Sequence, residues 1–347
     1  MVTVTLREAI KAIEMAYAIK HSVIMMGSPG IGKTAAPKLV ANKLGMGCKI
    51  YEASSLDPTD ARGILIPDNN GSSYFTRSAI LPDPQKDGNK GFLVIDELPS
   101  GLPAVQVALH PLFHPDERRL GTDKLADGWL PVATGNYASD GAGAYNLLTA
   151  LSDRVMILNV VENFKEWKED FALPNKIHPD VTGFLGFRED LFNTFEKRNK
   201  ADKGKTWGSP RSHTLVSDIF YYDDKHSIGA SILYASVAGY VGEGIAGEYV
   251  AWRNSKKDVP SPEDIIDKGK DLVPREPSLL YATCAAVVHY LRQTKLPKQE
   301  AIDRMLEYSL KMDAEFGMLM VRDAYVTFSN KITKSPIWKT QVAKRYF

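Results

Sequence analysis

Residues 22–34 read SVIMMGSPGIGKT: a short apolar run, a glycine-rich turn, and the start of a helix-like stretch that reaches Leu44. The apolar residues before Gly27 fit a buried strand, and the pattern after Gly32 fits a helix running from about Lys33. Between them Gly27, Ser28, Pro29, Gly30, Ile31, Gly32, Lys33 and Thr34 satisfy the spacing G-x-x-x-x-G-K-[ST]. Each residue type has a reason. The glycines let the backbone curl so that successive N–H groups converge on phosphate oxygens, and the positive end of the helix that Ala35 enters completes the nest. Lys33 is placed to reach the β- and γ-phosphates, and the Thr34 hydroxyl to hold Mg2+. The stretch predicts a nucleoside triphosphate site between a strand and a helix.

The rest of the first half supplies the sheet that such a turn needs. CKIYEA (48–53), GFLVIDE (91–97), WLPVATGN (129–136) and RVMILNV (154–160) read as further short apolar strands. Alternating with helical stretches, they imply a parallel sheet covered on both faces. The expected fold class is α/β, the αβα sandwich of P-loop NTPases on a five-stranded parallel sheet. Asp96 ends one strand at the ligand-binding edge of such a sheet, where it would hold Mg2+ through the ion's water shell. Glu97 follows, placed to polarise an attacking water. At the N-terminus Thr5 and Glu8 form a T-x-x-E capping box, ahead of a helix with Leu6, Ile10, Ile13 and Tyr17 on one face.

After Val161 the strand signal stops. Helical stretches between residues 162 and 244 read as an all-helical lid, and a linker rich in Pro, Lys and Asp runs from Asn254 to Pro277. A last helical block follows it. The expected boundaries are 1–160 for the nucleotide-binding domain, 161–255 for the lid and 256–347 for a helical C-terminal extension.

Composition narrows the setting. The 347 residues are 44% hydrophobic and 24% charged, as in soluble globular proteins, and 43 basic against 42 acidic side chains argue neither for nor against nucleic acid. Cys48 and Cys284 have no metal-ligand spacing and sit in apolar stretches, which fits a reduced, cytoplasmic setting. The N-terminus carries an early Glu and no signal-peptide apolar region. The longest apolar run, LLYATCAAVVHYL from Leu279, is shorter than the roughly 20 residues that span a bilayer, so no membrane association is expected.

Three later features narrow the class. Asn136 ends the strand VATGN, Arg154 stands at the helix-to-strand junction of ALSDRVMILNV, and Arg211 lies in the first turn of SPRSHTLVS. In order and spacing the chain resembles the AAA+ ATPases, specifically the MoxR-like branch related to dynein-type modules, from its first helix to about His213. The resemblance implies ATP as substrate, with Asn136 as sensor 1, Arg154 as an arginine finger acting in trans, and Arg211 as sensor 2 on the lid. DARGILIPDNNGSSYFTRSAILP (60–82) sits where this branch inserts a small β structure, with DNNG as a hairpin turn. HPDERRLGTDKLADGW (114–129) resembles the hairpin that the superclade places before sensor 1. The terminal block resembles an extension seen in some bacterial and phage members. The finger context, SDRV, departs from the usual acidic-residue–Arg–aromatic ending, and Arg118 and Arg119 are rival cations. The implied partners are copies of the chain in a ring, a hexamer by the resemblance, and a protein target presented by a von Willebrand factor A domain protein.

Other features carry plainer readings. His110 and His114 are spaced as zinc ligands on a helix, but Pro111 intervenes and no third ligand is evident, so structural histidines are expected. The basic run EKRNKADKGKTWGS (196–209) reads as a solvated loop before the Arg211 helix. The Gly and Ala residues of SIGASILYASVAGYVGEGIAG permit close helix packing. A nucleic-acid motor or a replication or packaging accessory on the same core ranks second, because no helix-turn-helix, zinc module or domain-wide basic stripe is present. A nucleotide-dependent scaffold without turnover ranks third, since Glu97 and Asn136 are both present.

Overall fold

The computed structural model describes residues 2–137, 145, 147, 149–198, 202, 204–255, 258–296 and 298–346. They fall into two compact units, Met1–Asn163 and Phe164–Phe347.

In the first unit the strands are, in chain order, β1 (Thr3–Thr5), β2 (Val23–Met26), β3 (Gly47–Glu52), β4 (Leu65–Pro67), β5 (Ser73–Phe75), β6 (Gly91–Asp96), β7 (Arg119–Leu120), β8 (Asp123–Lys124), β9 (Trp129–Gly135) and β10 (Met156–Val161). The helices are α1 (Leu6–Ala18), α2 (Ala35–Leu44), α3 (Pro58–Arg62), α4 (Pro84–Asp87), α5 (Pro103–Leu109) and α6 (Thr149–Ser152). Six strands form one parallel sheet in the order β1-β10-β2-β9-β6-β3. Five were expected. The sixth, β1, pairs Thr3 with Asn159 and Thr5 with Val161 at the edge of the sheet. Three residues running straight into a helix cap hold no periodicity to read, so the sequence shows only the cap.

Both faces of the sheet are covered, and the alternation of strand residues divides them. Val23 and Met25 join Ala9, Ile13, Ala36, Val40, Phe92 and Val132 in one core. Ile24 and Met26 join Leu93, Ile95, Ala133, Val105 and Leu109 in the other. The capping box of α1 is present: Glu8 N–H donates to Thr5 Oγ1 at 3.3 Å, and Thr5 N–H to Glu8 Oε2 at 2.8 Å. The buried stripe of α1 is centred on Ala9, Ile13 and Ala16, with Leu6, Ile10 and Tyr17 at its margins. Small side chains sit under the helix because it lies close to the sheet, and the larger ones cover the flanks.

Both insert hairpins form. β4 and β5 pair antiparallel, Leu65 opposite Phe75, and Asp68 Oδ1 accepts from Asn70 N–H at 2.8 Å and Ser72 N–H at 2.9 Å to close the turn. β7 and β8 pair Arg119 with Lys124 around Gly121.

The second unit is helical: α7 (Phe164–Trp167), α8 (Pro179–Phe187), α9 (Pro210–His226), α10 (Ala230–Val241), α11 (Glu243–Ser255), α12 (Pro262–Ile266), α13 (Pro277–Tyr290), α14 (Lys298–Ser309), α15 (Ala314–Ile332) and α16 (Ala343–Tyr346). It has two cores. One gathers Val181, Phe184, Val216, Phe220, Val237 and Tyr249, and the other Ile265, Val287, Met305, Leu306, Met320 and Val321. They meet where α13 crosses α8 at Gly183, where an added Cβ would stand 3.3 Å from both Ala285 Cβ and Trp252 Cζ2. Lys168 and Asp323 add a buried ion pair at 2.5 Å. The linker expected between Asn254 and Pro277 contains α12, whose Ile265 and Ile266 are fully buried in the second core. A five-residue helix is too short to show a period. In the basic run, residues 199–201 and 203 lie outside the described residues; Arg198 stacks over the Trp207 ring at 4.5 Å.

His213, on α9, is wholly buried and neutral. Its Nε2 donates to Leu191 O at 3.0 Å, and Tyr249 OH donates to its Nδ1 at 2.9 Å. Burial holds its pKa down at about 4. The unfolded chain binds this proton near pH 6.5, so stability is intact above that pH and falls as the pH drops toward 4, by roughly 3 kcal/mol in all. Urea midpoints measured from pH 7.5 to 4.5 should show this fall, and His213→Gln should flatten it.

Candidate active site

The glycine turn lies where the sheet changes direction. The chain leaves β2 through α2 for β3 on one side, and leaves β9 for β10 on the other, so a crevice opens above the carboxyl ends of β2 and β9. Gly27 N–H donates to Gly135 O at 3.3 Å and holds the turn against β9. A Cβ at Gly27 would stand 2.3 Å from Val160 O, so only glycine fits there. Gly32 has φ +99°, which lets the turn invert before α2 begins.

The side chains converge across three adjacent strands. Lys33 is buried, and its ammonium donates to Gly27 O at 2.7 Å, Ser28 O at 2.8 Å and Asn136 Oδ1 at 2.9 Å. A buried ammonium needs such acceptors. Because an ammonium cannot accept, the contact also orients the Asn136 amide, leaving its NH2 to donate elsewhere. Thr34 occupies the N-cap position of α2 yet makes no capping bond. Its hydroxyl donates instead to Asp96 Oδ1 at 2.8 Å. A hydroxyl and a carboxylate side by side form a hard oxygen pair, which is the donor chemistry Mg2+ takes, so these residues fit that ion.

Thr134, on β9, was not singled out in the sequence. It is buried, and its hydroxyl donates to Asp96 Oδ1 while accepting Glu97 N–H at 3.2 Å. The available signal was the period of two, which puts Thr134 and Asn136 on the same face of β9. Glu97 itself has φ 51° and ψ 41°, a left-handed conformation that a non-glycine residue holds only at a cost of about 1–2 kcal/mol. Ser100 N–H donates to Glu97 O at 2.8 Å and helps to fix this bend.

The predicted arginines are placed differently. Arg154 is half-buried, with Nη1 bonded to His110 Nε2 and to Ala150 O at 3.1 Å. His110, weighed above as a zinc ligand, is thus a partner of Arg154. Arg119 pairs with Glu117 at 2.9 Å and donates to Gly121 O at 2.8 Å, and Arg118 donates to Lys20 O. Arg211 belongs to the second unit. It is the second residue of α9, exposed, at a helix end whose dipole disfavours a cation. Residues 138–144, between Asn136 and Arg154, lie outside the described residues.

No family model matches the chain, and no curated protein matches it. Among solved structures it is similar to Hsp104 in its closed state with ATPγS and casein, at 15% identity over 72% of this chain and 46% of that one, TM-score 0.39. It is also similar to the RuvB Holliday junction branch migration motor of Thermotoga maritima, at 17% identity over 84% and 89%, TM-score 0.37. A third, NtrX from Brucella abortus in complex with ADP, is 13% identical over 98% and 66%, TM-score 0.34. At such identities and scores the likeness carries no functional argument.

Replacing Glu97 by glycine removes the backbone strain. Glu97→Gly should raise the unfolding free energy of the chain by up to about 1 kcal/mol, read from urea denaturation. A loss of stability would mean that the bend is not strained.

Proposed function

We propose that this chain is an ATP-hydrolysing ring motor of the AAA+ type, of the MoxR-like branch, that remodels or activates a protein target. The observation that supports it is the convergence of Lys33, Thr34, Asp96, Glu97 and Asn136 at the carboxyl ends of β2, β9 and β6. Phosphoryl transfer to water needs positioning and charge stabilisation more than covalent chemistry. Lys33 and the backbone N–H groups of the turn between Gly30 and Thr34 would hold the triphosphate. Mg2+, when bound beside Thr34 and Asp96, would neutralise charge on the β- and γ-phosphates. Glu97, held in its bend by Thr134, would polarise the attacking water, and the Asn136 amide would steady that water or the γ-phosphate.

The remaining charge in the transition state calls for another cation. Arg154, supplied by a neighbouring protomer, would be worth about 10³–10⁵ in rate. Such a site is completed only in an oligomer, for which a hexameric ring is the proposed form. Arg211, at the mouth of a helix that attracts anions, would sense the γ-phosphate and couple it to lid movement. The target-facing surface would be the β4–β5 hairpin, where Ile64, Leu65 and Tyr74 are more than half exposed. Phe75 belongs to the same surface, whereas Arg77 packs down by donating to Pro82 O at 2.8 Å. A von Willebrand factor A domain protein is the proposed presenting partner.

Two measurements test the reading. Arg154→Ala and Glu97→Gln should each abolish steady-state ATP hydrolysis, while their mixture regains part of it, because some boundaries then join an intact Glu97 to an intact Arg154. Absence of recovery would count against the trans role. Thr134→Val should lower kcat about 10–100-fold with little change in the KM for ATP, as expected for a residue that positions Asp96 and Glu97, and Thr134→Ser should restore it. Equal turnover in all three would remove Thr134 from the mechanism.

A further inference from the structure

The second unit carries a cavity of about 480 Å³ whose charge is not balanced. Lys176, Arg292 and Lys298 form its rim, and Pro174, Val326 and Phe328 form an apolar wall. No carboxylate lines it, and none of the three cations makes an ion pair among the described residues. Separate elements bring them together. Lys176 stands in a left-handed turn (φ 57°), Arg292 just beyond α13, and Lys298 at the first position of α14. The wall owes its shape to Phe328, the one non-helical residue within α15 (φ −122°, ψ 22°).

The internal bonds of these cations use only part of their donors. Arg292 Nη2 donates to Leu173 O at 2.6 Å and to Thr327 Oγ1 at 2.9 Å, and Lys298 donates to Leu291 O. Nε and Nη1 of Arg292, two protons of Lys298 and all three of Lys176 remain for another acceptor. Free cations on a solvated surface would splay apart; here two are tethered to carbonyl groups that hold them in place. Partial burial pushes the Arg292 pKa down, and burial together with nearby Lys331 does the same for Lys298.

We infer that this cavity is a binding site for a phosphate monoester with an apolar or aromatic body. A phosphate ester brings close to two negative charges and three acceptor oxygens, whereas a lone carboxylate would leave most of the rim unneutralised. The Arg292 fork suits phosphate geometry, the lysines add point charges, and the wall receives the organic part. The site is an open groove whose volume lies in the range of small-molecule sites.

The test uses the full chain carrying Lys33→Ala, so that the nucleotide cradle is disarmed and the result stands whether or not the chain hydrolyses ATP. Titration calorimetry with phenyl phosphate should show one saturable site. Inorganic phosphate should bind the same site about 10-fold more weakly, for want of the wall contact. Lys298→Gln should weaken both at least about 10-fold, and Phe328→Ala should bring phenyl phosphate down to the level of inorganic phosphate. Lys176→Gln, at an exposed side chain without a hydrogen bond, tests the charge without disturbing the fold, and it should weaken both ligands several-fold. Absence of saturable phenyl phosphate binding, or binding unchanged by Lys176→Gln and Lys298→Gln, would overturn the assignment.

Discussion

Two hydrogen bonds tie the glycine turn to strands far along the chain: Thr34 to Asp96, 62 residues on, and Lys33 to Asn136, 103 residues on. Each joins a charged group to a partner in a poorly hydrated place, where such bonds are strong and their loss costly. They constrain the whole first unit. β9 must lie beside β2, β6 must lie beside β9, and all three must run parallel so that their carboxyl ends open on the same crevice. The apolar alternation of these strands delivers that arrangement, because each face finds its own core. The sheet thus stabilises the site and the site selects the strand order.

Thr134 shows how local strain is held at this place. The left-handed bend at Glu97 costs on the order of 1–2 kcal/mol, and a buried hydrogen bond returns about 1 kcal/mol. A single contact to Glu97 N–H does not offset the bend with any margin, so the bend needs the Ser100 bond as well. The same hydroxyl also fixes Asp96. One side chain therefore holds both the Asp96 carboxylate and the Glu97 backbone N–H, so a shift in either is felt by the other.

Much of this was legible in the sequence, for identifiable reasons. The glycine turn, the two acidic residues and the strands around them are local patterns with steep steric or burial requirements, and the structure has them where the pattern puts them. The β4–β5 hairpin is legible from its turn residues, whereas the β7–β8 hairpin follows only from the family resemblance. What escaped were features without a local signature. β1 is three residues long, α12 is five, and their assignment depends on what they pack against. Thr134 looks like any strand threonine until Asp96 is seen across from it. His110 was read for its spacing to His114, although its partner is Arg154, 44 residues away. Spacing reports neighbours on one helix and says nothing about neighbours across a fold.

The arginines raise a question of magnitude. Arg154, Arg118 and Arg119 are all engaged within the chain, so the proposed role in trans requires one of them to be released. Freeing Arg154 breaks two guanidinium hydrogen bonds, at about 1.5–3 kcal/mol each as an upper bound, because the half-exposed side chain regains water. A rate factor of about 10³–10⁵ corresponds to roughly 4–7 kcal/mol of transition-state stabilisation. The gain is of the same order as this upper-bound cost, and it arises only when the developing phosphate charge is there to receive it. His110 and the Ala150 carbonyl would then act as a resting place that Arg154 leaves at the moment of reaction. Arg118 is a weaker rival: its backbone is itself held at φ 37°, and moving its side chain would free a carbonyl in the turn after α1. The contacts that tie Arg154 to its own chain are therefore compatible in magnitude with the proposed role in trans.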